Sequence, residues 1–178
     1  MATNNKISVF TLIAITYFYM APPTMAMSRH HEGEANIWVK DKGFCLGVDT
    51  HYQTEGYFFS RNANVDENEV RLDGISISRN DDTYVWATYS QDQATLGPRL
   101  TSTTCIPYGE EIQSFNTETP AIEIKPGIYS IMLISHDQKG RRASFYTVKC
   151  ITGSPASWSI APVKINEKEL GATRWYCD

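Results

Sequence analysis

Residues 122–134 read I-E-I-K-P-G-I-Y-S-I-M-L-I, a proline–glycine pair set between two apolar runs. Pro126 fixes its own φ at about −65° and Gly127 accepts positive φ, so the chain is expected to turn here. The run that follows, Ile128, Tyr129, Ile131, Met132, Leu133 and Ile134, is β-branched and aromatic and too short for a separate helical domain. It reads as a central strand buried on both faces.

A strand opened by P-G-x-Y is similar to the tyrosine corner of immunoglobulin-like and fibronectin-type sandwiches, where a Tyr hydroxyl ties back to upstream backbone. The Tyr comes one residue early, and two readings of Tyr129 stand: a corner tie, or a core aromatic whose hydroxyl reaches the sheet edge. Outward from this strand the pattern stays β. Upstream, Ala35–Val48 is expected to be a strand pair or one strand bulged at Gly43. Gly56–Ser60, Val70–Ser78 around Gly74, and Thr83–Tyr89 are further strands, and Ser102–Gly109 is a strand end or edge because Pro107 lacks a ladder donor. Glu110–Pro120 reads as a connection. Downstream, Lys139 and Gly140 mark a hairpin turn into Ala143–Ile151, and Trp158–Val163 and Ala172–Cys177 are two short strands. No stretch has a sustained helical period and no unit repeats.

The chain has 178 residues, 42% hydrophobic, 20% charged and 12% aromatic with ten tyrosines, which describes one folded β-rich domain and excludes a disordered or fibrous chain. Residues 1–26 carry Lys6, an uncharged apolar run from Ile7 to Met20, and then Pro22 and Pro23. They read as a secretory signal peptide cut after Ala26, since the apolar run is shorter than the roughly 20 residues of a spanning helix. No later segment is long and apolar enough to span. Residues 27–34 are polar and unpatterned and are expected to be a mobile leader, with the domain at 35–178. Loss of Lys6 takes the formal net charge from −4 to −5. That acidity disfavours nucleic acid as a partner and favours encounter with a basic protein.

Cys45, Cys105, Cys150 and Cys177 form no C-x-x-C and have no His at zinc-ligand spacing. Two disulfides in an oxidising compartment are the expectation. Three connectivities are open; neighbouring strands of a meander favour Cys45 with Cys105 and Cys150 with Cys177.

The chemical motifs are weak. Ser135, His136 and Asp137 are the elements of a hydrolytic triad, but consecutive strand residues point to opposite faces and cannot converge. His51 near Asp49 lacks a nucleophile motif. His30 and His31 lack a fixed third ligand. Residues 62–69, N-A-N-V-D-E-N-E, space oxygen-bearing side chains as a calcium loop does, yet lack the turn glycine, so a polar surface loop is the stronger reading. No metal or cofactor is expected. Tyr52, Tyr57, Tyr84, Trp86, Tyr89, Tyr108 and Trp175 are more aromatics than one small core consumes, which favours a binding surface, although each singly fits a cross-strand pair.

R-H-H-E-G-E-A-N-I-W-V-K-D-K-G-F-C-L (29–46), T-C-I-P-Y-G (104–109), I-K-P-G-I-Y-S-I (124–131) and F-Y-T-V-K-C (145–150) together resemble the periplasmic type VI secretion immunity lipoproteins. The resemblance falls on Cys45, Cys105, Pro107, Gly109, Pro126, Gly127 and Tyr129. The chain departs from it in having no Cys near the signal cleavage site to take a lipid, and in Cys150, Cys177 and the C-terminal extension. It implies a periplasmic immunity protein that occludes a toxin. The expectation is therefore an exported, all-β, antiparallel, immunoglobulin-like β-sandwich of one domain with two disulfides, not an enzyme, with a protein partner and no membrane span in the mature chain. Asp66, Glu67 and Glu69 are the expected contact acids. The expected location is the periplasm, with secretion as the alternative; the alternative functions are a fimbrial or surface adhesion module, also exported, and a secreted hydrolase whose residues are dispersed in sequence.

Overall fold

Alternation of apolar and polar residues sets the strands. In the computed structural model, which describes residues 31–41, 43–55, 60–91, 97–166 and 174–177, every regular element is β. The strands are β1 (His31–Lys40), β2 (Gly43–Glu55), β3 (Ser60–Asn64), β4 (Arg71–Arg79), β5 (Tyr84–Ser90) and β6 (Ile106–Pro107). They continue as β7 (Phe115–Thr119), β8 (Gly127–His136), β9 (Arg142–Thr152), β10 (Ser159–Pro162), β11 (Lys164–Asn166) and β12 (Arg174–Tyr176). Among the described residues no helix is long and apolar enough to cross a membrane.

Eight strands form one ladder in the order β3-β2-β1-β9-β8-β4-β5-β7, with β6 added to β2 and β10 to β9; β11 and β12 form a separate ribbon. The pairings are antiparallel except that His31–Glu34 of β1 runs parallel to Ala143–Tyr146 of β9. β1 therefore joins two arms, holding β2 on one edge and β9 on the other. A ladder this long with one apolar face buries it by folding over on itself. The closure is visible at Tyr108, just after β6 in the β2 arm. Its ring stands edge-on to Trp86 of β5 at 5.4 Å, and its hydroxyl lies 2.7 Å from the Ile122 carbonyl and 3.0 Å from that of Val85, sharing one proton between them. Burial pushes the Tyr108 phenol up to about 12, against the opposing effect of the hydrogen bond to Ile122. One core results, with Leu46 and Val48 from one arm and Leu72, Ile75, Ile77, Ile131, Leu133 and Phe145 from the other. The fold is all-β and sandwich-like.

β8 is the central strand expected from the opening stretch, between β9 and β4. Tyr129 is buried, and its hydroxyl donates to the Lys125 carbonyl at 2.8 Å while accepting from the Lys125 N–H at 3.2 Å. Both readings of this side chain hold at once, because the ring is core and the hydroxyl makes the corner tie. Two expectations here are corrected. Met132 and Ile134 are only half-buried, so β8 alternates and is not apolar-packed on both faces. Gly127 does not adopt positive φ; it already pairs with Ile151 as the first residue of β8, and the bend falls at Pro126. A Cβ on Gly127 would find its nearest neighbour at 3.6 Å, ordinary contact.

The leader is corrected as well: residues 31–34 are strand. Glu32 and Glu34 stay exposed because the hold is the backbone ladder to β2 and β9, reinforced by Lys149 Nζ at 3.1 Å from Glu34. The 110–120 connection contains β7, an edge strand paired with β5. Residues 1–30, where the signal peptide is expected, and 56–59 lie outside the described residues. Both disulfides form as favoured: Cys45–Cys105 spans β2 and the residue before β6, and Cys150–Cys177 ties β9 to the residue after β12. No cysteine is free. Two cystines fit an oxidising environment.

Candidate binding groove at the β4–β8–β9 end

β4 reads R-L-D-G-I-S-I-S-R, and its pairing with β8 skips a residue: Leu72 faces Ser135 and Gly74 faces Ile134, leaving Asp73 as the extra residue of a bulge. A bulge re-aims the side chain it carries. Asp73 meets His136, the last residue of β8, with Nδ1 and Oδ1 2.6 Å apart. An ionised carboxylate only accepts, so Nδ1 carries the proton and Nε2 is left for other use. Gly74 is required beside it. A Cβ there would lie 2.4 Å from Cδ1 of Tyr89, whose ring covers the strand and walls the groove.

The β8–β9 hairpin is fixed by Asp137, whose side chain is 2% exposed. One oxygen accepts from the backbone N–H groups of Lys139 (2.8 Å) and Arg141 (3.0 Å), the other from Arg141 Nε (2.7 Å) and Nη2 (2.5 Å). Burial pushes this carboxyl up, but the hydrogen bonds from the Arg141 guanidinium and the two N–H groups together outweigh it and leave the pKa lowered. Gly140 closes the turn at φ 70°. The hairpin sets the register in which His136 lies between Arg71 of β4 and Arg142 of β9. Gln138 N–H donates to the Asn68 carbonyl at 3.2 Å, locking the hairpin to the 65–70 loop.

Two adjoining depressions result, sharing His136 and Gly140. One of about 460 Å³ is lined by Asp73, Tyr89, Ser90, Ile134 and Arg142 as well, and one of about 360 Å³ by Glu69, Arg71, Asp137 and Gln138. Arg71 Nη1 donates to the Gly97 carbonyl at 3.3 Å. Arg142 is exposed and has no hydrogen-bond or ion-pair partner among the described residues. The groove thus offers an anchored imidazole, an unengaged guanidinium and an aromatic wall.

The acids expected from sequence divide. Asp66 is spoken for: its carboxylate accepts from Ser102 N (2.9 Å) and Ser102 Oγ (2.8 Å), and its carbonyl accepts from Arg99 Nη2 at 2.7 Å. The two Ser102 bonds lower its pKa. Glu67 and Glu69 are exposed, and Glu69 lines the groove. Residues 64–69 form a tight turn in which the Asn64 side chain accepts from the Asp66 N–H at 2.8 Å; among the described residues no group of three or more potential ligands could hold a metal. Ser135 and Asp137 do diverge from His136, Ser135 donating to the Ala143 carbonyl at 2.8 Å. Asp49 accepts from the Thr50 N–H, and His51 is exposed. Of the surface aromatics, Tyr52 and Trp86 are core, Tyr84 is 55% exposed, Tyr89, Tyr108 and Trp175 are half-buried, and Tyr57 lies outside the described residues. The Asp73–His136 pair was missed in sequence because 63 residues separate its members. The available signal was an Asp-Gly step inside an apolar alternation, which marks a bulge. Comparison with family models, curated proteins and solved structures finds no match to this chain.

Proposed function

We propose that the chain is an exported periplasmic binding protein with an immunoglobulin-like strand arrangement, an immunity protein that neutralises a type VI secretion toxin by one-to-one occlusion. The observation that carries this reading is the convergence of two hydrogen-bonded loops, 65–70 and 137–141, over a groove with unengaged polar groups, the usual form of a contact surface on a β scaffold. Support comes also from the residues of the immunity-lipoprotein resemblance, which occupy structural corners: the Cys45–Cys105 bridge, the Pro107–Gly109 turn and the Tyr129 tie. The immunoglobulin-like reading rests on that tie and on the parallel β1–β9 pairing beside antiparallel β8–β9.

An occluding protein stops one toxin molecule per copy. Titration of the mature chain against the toxin encoded beside its gene should abolish toxicity at one equivalent. Protection at far below one equivalent, or turnover of a substrate by the purified protein, overturns the reading.

A further inference from the structure

We propose that the half of the groove between Tyr89 and Arg142 is a carboxylate subsite that takes up a proton when filled, and that an acidic side chain of the protein partner occupies it; the second clause rests on the reading of this end as a contact face. Arg142 presents a guanidinium with no partner among the described residues, the geometry that pairs with a carboxylate. Tyr89 and Ile134 supply an apolar wall for the carbons behind the anion. His136 lies beside them with Nδ1 committed to Asp73 at 2.6 Å.

A second carboxylate on the Nε2 side needs a second N–H, and only the imidazolium has both. Filling the subsite therefore protonates His136, with Asp73 stabilising the charge from behind. The charged groups that line the two depressions with His136 are Asp73 and Arg71 of β4, Glu69 before it, Arg142 of β9, and Asp137, whose carboxylate is turned to Arg141. On the Tyr89 side, Arg142 against Asp73 leaves the site neutral with a neutral imidazole and singly positive with a charged one, matched to one carboxylate.

The probe is benzoate, with benzamide as its uncharged isostere, against the full mature chain. Benzoate should shift the His136 ring resonances, and calorimetry in buffers of differing ionisation heat should show net proton uptake. Benzamide, and benzoate with Arg142→Gln, should each bind at least about tenfold more weakly. Arg142→Lys should recover part of the loss, and Asp73→Asn should remove most of the proton uptake. Thermal melts of each variant establish that it is folded. Equal binding of benzoate and benzamide, absence of proton uptake, or an Arg142→Gln variant indistinguishable from wild type overturns the subsite. If benzoate binds as expected but does not compete with a toxin bound one-to-one, the partner assignment fails while the binding function stands; if no toxin binds, the functional reading fails and the benzoate result is judged separately.

Discussion

Replacing Asp137 by Asn should weaken the fold by about 2–3 kcal/mol at pH 7. The carboxylate accepts four hydrogen bonds, two from backbone N–H groups of the turn and two from the Arg141 guanidinium. Bonds to a charged group contribute roughly 1.5–3 kcal/mol each when lost singly, but these are not additive. Arg141 is 46% exposed and recovers water on losing its partner, so most of the cost lies in the two turn N–H groups and the buried amide. The sign with pH follows from the lowered pKa. The folded chain holds the carboxylate ionised below the unfolded value of about 3.9, so the stabilisation is fully present above that value. It is lost as pH falls through the folded pKa. Guanidinium unfolding of both proteins from pH 7 to pH 2.5 should show a gap that is constant down to about pH 4 and then closes. A gap under about 0.5 kcal/mol at pH 7, or one unchanged at the acid end, refutes the assignment of Asp137 as the clamp of the hairpin.

Tyr129→Phe should cost about 1 kcal/mol and Tyr129→Ala about 3 or more by chemical denaturation, while Gly127→Ala should be near neutral. Gly74→Ala drives a methyl into the Tyr89 ring and should cost roughly 1–3 kcal/mol, with a perturbed Tyr89 environment by NMR. Reduction of both cystines should lower Tm markedly, each bridge contributing about 2–4 kcal/mol, and peptide mapping without reductant should find no alkylatable thiol in native material. Under the proposed function, Glu67→Gln with Glu69→Gln should slow association with the proposed toxin partner, most at low salt, and leave dissociation less changed. Asp66→Asn should instead alter protection of the Ser102 amide in hydrogen exchange, because its carboxylate serves the 99–104 segment.

Legibility in the sequence followed side-chain patterning. β4, β5, β8 and β9 alternate or run apolar, and each was readable because one face packs into the core. β7, F-N-T-E-T, buries only Phe115, and Glu32 and Glu34 of β1 are exposed; both segments are held by backbone pairing, which leaves no composition signal. The groove was least legible for the same kind of reason. Ser135, His136 and Asp137 could be excluded as a triad from strand geometry alone, but the true partner of His136 comes from a bulge on another strand. Asp66 reads as one of a row of surface acids, and nothing local reports that Ser102, 36 residues on, takes both its oxygens.

The double pairing of β1 has a kinetic consequence. A chain made from its N-terminus meets β2 at once, but the parallel partner Ala143–Tyr146 emerges on the order of a hundred residues later. Until then β1 carries an open edge, with apolar Ala35 and Ile37 awaiting their cover. The final arm closure is thus a slow, non-local step, and a nascent or truncated chain ending before the β8–β9 hairpin is the form most exposed to intermolecular strand pairing.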